Sequence, residues 1–195
     1  MRSHITLRVA ALIALASTPS AAFASPTGVE LDTSSSKIGF TAHTNLFDVP
    51  GVFQRASVSG TIDPDRFRDS SLTLTIDACS VDTDNGWRDD HLKNEDFFWC
   101  AKHPDITFVT KSVVQRKGGE LVVVGDLTVR GVEAQVAVPI TVQKGSDARG
   151  AFTRVRAKLE IDRTRHGITY TSSFPQPSIR NTVDLKLDLR LRHTS

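Results

Sequence analysis

The chain has 195 residues, of which 24 are Lys or Arg and 22 are Asp or Glu, for a formal net charge of +2. The two excess basic residues, Arg2 and Arg8, lie in a leader-like segment, so the rest of the chain is formally neutral. A neutral chain has no electrostatic attraction toward phosphate backbones, which argues against nucleic acid as a partner. The residues after the leader, about 170, are enough for one domain with one hydrophobic core.

Residues 1–24 have the composition of a secretory signal peptide. Arg2 and Arg8 provide positive charge, residues 9–16 are uniformly apolar, and residues 22–24 fit the small-x-small pattern of a cleavage site. An uncleaved anchor is the alternative, but the apolar run is too short for a bilayer core of ~30 Å, and Pro19 follows it closely. We therefore expect a signal peptide over 1–24, a single domain over 25–195, and a periplasmic or secreted protein without a transmembrane segment.

Most of the remaining chain alternates apolar with polar or small residues, which is typical of strands with one buried and one wet face. The alternating segments are 29–32, 37–43, 52–53, 58–63, 70–77, 106–114, 121–129, 134–142, 151–161 and 183–192. Turn-forming residues such as Gly118-Gly119 separate them. Many short strands at this spacing predict an all-β sandwich or an up-and-down barrel, and the pattern alone does not decide between the two.

One helix-like segment, residues 88–98, interrupts the strands, and His103-Pro104 ends it. Cys79 and Cys100 lie on either side of this segment. An even number of cysteines in an exported protein predicts a disulfide, here one that would tie the helical segment to the preceding strand. Two buried, unpaired thiols are the alternative.

Five groups of residues, in this order along the chain, resemble the signatures of the YceI-like family. They are 49–53 with Gly60, then 80–85 with 88–92 and 96–98, then 103–108, then 125–132, and finally 161–163 with 167–168. The resemblance implies an eight-stranded antiparallel, lipocalin-like barrel with a short helix in the central connection. It also implies that the barrel closes around a long apolar lipid of the polyisoprenoid class.

Arg88, Asp89 and His91 are the residues that most resemble a reaction centre. An Asp–His pair can act as a general base and an arginine can hold an anion, which would suit a hydrolase or isomerase acting on a lipid. A structural role explains the same residues, because early carboxylates suit the positive end of a helix and an arginine can bond back to a strand. The chain has no nucleophile motif, so we expect the structural role and no catalysis.

Metal binding is not indicated by the remaining histidines and cysteines. His91, Cys100 and His103 do not have the spacing of a C-x-x-C or H-E-x-x-H site, and no c-type haem attachment motif occurs. His43, His166 and His193 are expected on strands or turns, exposed and without a specific role. We predict no metal and no cofactor other than a bound isoprenoid lipid.

The apolar strand faces and the paired phenylalanines are the predicted ligand lining. An eight-stranded barrel either fills its interior with side chains or keeps room for one small ligand. The predicted lining residues are Phe40, Leu72, Leu74, Phe97, Phe98, Phe108, Val123, Leu127, Val138, Phe152, Leu185 and Leu187. Phe97 and Phe98 are expected near the entrance.

The resulting prediction is a protein that carries, stores or sequesters a polyisoprenoid or an isoprenoid quinone. Binding would come mainly from removing apolar surface from water. A lipid-directed enzyme using Asp89 and His91 is one alternative, and a ligand-free structural barrel with a solid core is another. The sequence leaves the assembly state open, with a homodimer among the alternatives.

Overall fold

The computed structural model of the protein describes residues 26–63, 65–172 and 175–194. The predicted signal peptide lies outside these residues. The strands are β1 Thr27–Leu31, β2 Lys37–Thr44, β3 Asp48–Phe53, β4 Ala56–Ile62, β5 Ser71–Asp77, β6 Val81–Asp82, β7 Asp105–Gln115, β8 Leu121–Val129, β9 Val132–Asp147, β10 Gly150–Asp162 and β11 Ile179–Thr194. The α-helix, α1, is Gly86–Lys93 and lies between β6 and β7.

Eight of the strands form a closed antiparallel barrel in the order β1-β4-β5-β7-β8-β9-β10-β11, and β1 pairs with β11 to close the ring. The predicted eight-stranded barrel with a short helix in the central connection is therefore confirmed. Closure gives every strand two partners, so the barrel has no open edge.

The position next to β11 is shared by two consecutive strands. β1 pairs with the last part of β11, from Leu31 opposite Leu191, and β2 continues along the same strand from Lys37 opposite Asp188. A short 3-10 turn, Thr33–Ser35, separates the two. β3 pairs with β2, and β6 pairs with β3, outside the ring of eight.

The interior is packed at the end of the barrel where β11 finishes, which we call the packed end. Leu191 is 1% exposed, its strand partner Thr153 is fully buried, and so is Ile62. Phe67, in the connection between β4 and β5, is also buried and belongs to the same apolar cluster. These side chains make the interior tightly packed at this end.

The opposite end carries the helix, and we call it the helix end. Arg130, in the turn between β8 and β9, donates to the carbonyl oxygens of Gly167 and Glu95. The same end therefore holds the β8–β9 turn, the segment that follows α1 and the connection from β10 to β11. Arg130 and Gly131 both have positive φ, as a two-residue hairpin turn requires.

A network of ion pairs covers the outer wall at the packed end. The Arg192 guanidinium contacts the carboxylate of Asp32 at 3.0 Å and that of Asp147 at 2.7 Å, and Arg149 also pairs with Asp32. Hydrogen bonding by Arg192 holds the pKa of Asp147 well below its usual range. The hydroxyl of Ser34 is the largest cause of the lowered pKa of Asp32. The network joins three strand ends that are far apart in sequence.

Candidate functional site

A cavity of about 220 Å³ occupies the barrel interior. Its wall is formed by inward side chains of every barrel strand except β1, with contributions from β2, β3 and α1. Ser70, Thr110, Arg163 and His166 are the polar members of the lining, and the other lining residues are apolar. An apolar cavity of ~150 Å³ already stays dry and accepts apolar guests, so a space of this kind suits an apolar ligand.

The cavity wall contains most of the residues that the sequence analysis proposed as ligand lining. They are Phe40, Leu72, Leu74, Phe97, Phe98, Phe108, Val123, Leu127, Val138, Leu185 and Leu187. Their contact with a ligand remains a prediction, because the structure locates them on the wall without a bound molecule.

Phe152 does not belong to the lining, and its prediction as a lining residue is wrong. Side chains alternate along β10, and the inward positions are taken by Thr153 and Val155. Phe152 therefore points outward, where the Arg190 guanidinium stacks on its ring at 3.7 Å from the centroid. Hydrophobicity alone predicts an interior position for this large residue, whereas the strand register places it under a cation on the outer wall.

The burial of inward side chains changes along β11. Leu191 and Leu189 are buried, whereas Leu187, Leu185 and Val183 are only partly buried although they point to the same interior. Leu185 does not pack against the buried apolar cluster, but it does line the cavity. The cavity therefore runs along the whole of β11, and the inward side chains nearer the helix end are the more exposed to it.

Aromatic side chains from the segment after α1 form the cavity wall at the helix end. The ring of Phe98 lies 5.6 Å from that of Phe53 on β3, and the ring of Phe97 lies 5.1 Å from Tyr170. A disulfide joins Cys79 to Cys100, with the two Cα atoms 5.6 Å apart. The bridge ties this aromatic segment to the end of β5, so the wall is held by a covalent link as well as by packing.

Arg88 and Asp89 bind the chain that precedes the helix. One carboxylate oxygen of Asp89 accepts from the backbone N–H of Thr83 at 2.9 Å and from its hydroxyl at 2.5 Å. Arg88 donates to the Thr83 hydroxyl at 2.8 Å and to its carbonyl at 2.7 Å. Asn85 caps the helix by accepting from the N–H of Arg88 at 3.0 Å. All of these contacts fix the start of α1 and none of them faces the cavity.

His91 does not pair with Asp89. Its Nε2 lies 3.0 Å from a carboxylate oxygen of Asp96, and its ring makes edge contacts with Phe97 and Tyr170. The two residues of the alternative catalytic pair therefore have different partners. Among the residues that the structure describes, no group of three His, Cys, Asp or Glu side chains could hold a metal ion.

Arg163 and His166 are lining residues that the sequence analysis missed. Both lie in the short 3-10 turn Arg163–His166 after β10, and they are 5% and 2% exposed. The expectation that His166 is exposed is wrong, because Nδ1 bonds to the carbonyl of Val132 at 3.0 Å and holds the ring inside. A turn residue next to Gly167 looks exposed in sequence, and only the position of β9 buries it.

Several solved structures share the fold of this chain. BcnA from Burkholderia cenocepacia is 25% identical with a TM-score of 0.73, over 82% of this chain and 98% of that one. The YCEI protein of Campylobacter jejuni is 25% identical with a TM-score of 0.67, over 78% and 89% of the two chains. A polyisoprenoid binding domain from Saccharophagus degradans shares the fold with a TM-score of 0.65 at 17% identity, over 86% and 99%.

No helix in the described parts of the chain is long and apolar enough to cross a membrane.

Sequence comparison covers nearly all of the described barrel. A UPF0312 protein of Staphylococcus aureus is 31% identical over 149 residues, which are 75% of this chain and 84% of that protein. The YceI-like domain matches residues 30–191, from β1 to the last strand of the barrel. The chain therefore belongs to the YceI-like domain family.

Proposed function

We propose that this barrel binds one long apolar lipid of the polyisoprenoid class, with the tail inside the cavity. The observation that carries the proposal is the cavity itself, whose wall is apolar except for four side chains. Burying apolar surface contributes ~25 cal/mol per Å², so such a wall needs few polar contacts to hold a hydrocarbon chain. The Saccharophagus degradans domain of similar fold is named for polyisoprenoid binding, which supports the same ligand class here.

The tail enters from the helix end and its tip stops at the packed end. Leu189 and Leu191 line the cavity as buried members of the apolar cluster, whereas Leu185 lines it from outside that cluster and is only partly buried. The aromatic segment with Phe97 and Phe98 belongs to the cavity wall at the side of entry. A chain seated this way has its polar head near the turn that follows β10.

The protein acts by binding and not by catalysis. Asp89 is occupied by Thr83 and His91 by Asp96, so neither is set up as a base beside the cavity. Carriage, storage and sequestration of a lipid all need a container of this kind. The protein is exported to the periplasm or secreted, which the composition of residues 1–24 and the Cys79–Cys100 disulfide support. A homodimer remains an alternative that light scattering of the purified protein decides.

The proposal is tested by placing the same charge on the two faces of one strand. Leu187→Asp puts a carboxylate into the cavity wall, and Lys186→Asp puts one on the outer surface one residue away. An unpartnered buried carboxylate costs several kcal/mol, so Leu187→Asp should lower affinity for a fluorescent isoprenoid analogue at least ~100-fold. Lys186→Asp should keep the wild-type affinity.

A second variant tests the cavity without adding charge. Ala157→Phe places a ring in the free space, since Ala157 is buried and lines the cavity. Filling an apolar space often stabilises a protein by ~0.5–2 kcal/mol, so the melting temperature should hold or rise while lipid uptake falls. Mass spectrometry of lipids that co-purify with the wild type from a periplasmic extract would identify the natural ligand. Failure of the wild-type protein to take up any apolar chain would sink the proposal.

A further inference from the structure

The turn after β10 places two ionisable side chains in an otherwise apolar wall. Arg163 is 5% exposed and His166 is 2% exposed, and both line the cavity at the helix end. Groups of this kind are rarely buried unless they have partners. Their hydrogen bonds differ, and the difference shows which of the two is available to a ligand.

The guanidinium of Arg163 is used by the protein. It donates to the carbonyl of Ile168 at 2.8 Å and to that of Arg180 at 3.0 Å, with longer contacts of 3.4 Å to the carbonyl of Ile179 and the amide oxygen of Asn181. Burial lowers the pKa of Arg163. These contacts hold the start of β11 against the turn, which is a structural role.

Only one ring nitrogen of His166, Nδ1, has a hydrogen-bond partner among the described residues. Nδ1 lies 3.0 Å from the carbonyl oxygen of Val132, so this nitrogen carries a proton, and in the tautomer that this bond selects the lone pair is on Nε2. Nε2 has no hydrogen-bond partner among the described residues. The one side-chain nitrogen or oxygen in those residues that is sealed away without a partner is Nε of Arg190. Nε2 of His166 is therefore reached by the cavity space.

We propose that Nε2 of His166 accepts a hydrogen bond from the hydroxyl group of an isoprenoid alcohol bound in the cavity. The inference rests on the proposed function and adds the chemistry of the head group. A hydroxyl supplies the donor that this buried acceptor lacks, while the chain lies along the apolar wall. The carbonyl oxygens of a quinone head group are acceptors, so they cannot form a hydrogen bond with an Nε2 that is itself an acceptor. A hydrocarbon offers no donor either.

Two probes with the same tail isolate this hydrogen bond. Geranylgeraniol carries the hydroxyl, and geranylgeranyl methyl ether carries an oxygen at the same place without the proton. The purified full chain, freed of lipid, should bind the alcohol ~5–10-fold more tightly in competition with a fluorescent isoprenoid analogue. His166→Phe keeps a ring in the wall and removes Nε2. Its preference for the alcohol over the ether should fall to within ~2-fold. Its affinity for the ether should stay within ~3-fold of the wild-type value.

A spectroscopic measurement gives the answer even if the variant folds poorly. In wild-type protein labelled with 15N-histidine, the alcohol should shift one unprotonated Nε2 resonance toward the value of a hydrogen-bonded nitrogen. The ether should fill the same cavity and leave that resonance in place. Absence of a shift with saturating alcohol would overturn the assignment of His166 as the acceptor.

The remaining outcomes separate the two proposals. Equal affinity of the wild type for alcohol and ether, or an unchanged preference in His166→Phe, would overturn the hydroxyl site and leave lipid binding intact. Tighter binding of geranylgeranyl monophosphate than of the alcohol would assign the head group to the Arg163 cation and also overturn it. Failure of both the alcohol and the ether to bind would overturn the proposed function itself.

Discussion

The packed end and the helix end of the barrel are made from the same strands but differ in what their inward side chains meet. Leu191 and Ile62 belong to the buried apolar cluster and are essentially unexposed. Leu185 and Val183, on the same face of β11, line the cavity as Leu191 does, but they are only partly buried and lie outside that cluster. Tight packing and free space therefore change gradually along the barrel axis, because inward side chains at the packed end are buried in the apolar cluster although some of them also line the cavity.

Each end also has its own means of holding the chain together. At the packed end, the buried carboxylate of Asp63 accepts from the backbone N–H groups of Asp65 and Arg66 at 2.9 and 2.8 Å, and ion pairs cover the outer wall. At the helix end, where apolar packing is incomplete, a disulfide and the contacts of Asp89 with Thr83 hold the connection. The helix end therefore depends more on individual polar and covalent links.

The largest expected difference between the ends comes from the same substitution at two positions of β11. Leu191→Ala removes a side chain that is 1% exposed within the buried apolar cluster and should cost ~2–5 kcal/mol of the free energy of unfolding. Leu185→Ala removes one that already faces free space, creates no new void in packed surroundings, and should cost about 1 kcal/mol. Urea denaturation of both variants measures the difference. Equal costs would show that the two ends are packed alike.

Removal of the disulfide should cause the next largest loss of folding stability. Replacing Cys79 and Cys100 together with alanine opens a loop with a sequence separation of 21 residues. The chain-entropy model gives a loss of ~3 kcal/mol for a loop of this size. Chemical denaturation of the double variant measures it, with reduced wild-type protein as the control. A variant as stable as the oxidised protein would mean that the helix end is held without the bridge.

Asp89 should contribute less to the free energy of unfolding than the disulfide does, and more than Asp90 does. Asp89→Ala removes the acceptor of two hydrogen bonds from Thr83 and should lower the free energy of unfolding by ~2 kcal/mol. Asp90→Ala is the matched control, since Asp90 makes only a surface pair with Lys93 at 3.5 Å, worth less than ~1 kcal/mol. An unchanged melting curve for Asp89→Ala, together with loss of a measurable turnover of a lipid, would restore the catalytic alternative.

Sequence reasoning reached the strands and the interior face of most of them, because alternation in a strand directly reports which side is buried. It did not by itself distinguish a barrel from a sandwich, since both bury one face of each strand. Phe152 shows where alternation fails in practice. Hydrophobicity assigned it inward, although Thr153 holds the inward place and Arg190 covers Phe152 from outside.

The polar part of the site could not be found from the sequence for a different reason. His166 lies in a turn, and turns are usually at the surface. Its burial depends on Val132, which is distant in sequence but brought next to it by the pairing of β8 with β9 and of β9 with β10. The resemblance did include Arg163 and Gly167 on either side of it, and that motif was the one available signal.

The two ends should also differ, by a smaller amount, in how pH changes their contribution to folding stability. At the helix end, hydrogen bonding to Asp48 is the largest cause of the raised pKa of His43, and Asp184 adds to it. A raised folded-state pKa gives a stabilisation that is complete below the unfolded value of about 6.5 and is lost as the pH rises through the folded value. At the packed end, the lowered pKa of Asp147 gives a stabilisation that is present above about pH 4 and is lost in acid.

Two variants measured against the wild type separate these contributions. The deficit in melting temperature of His43→Gln should be larger at about pH 5.5 than at about pH 8, because the charged imidazole is the form that Asp48 and Asp184 stabilise. The deficit of Asp147→Asn should be the same at both of these pH values and should shrink only below about pH 4. A His43→Gln deficit that grows toward alkaline pH would contradict the ion-pair account of the helix end. It would mean that His43 stabilises this end as a neutral ring, through packing in place of charge.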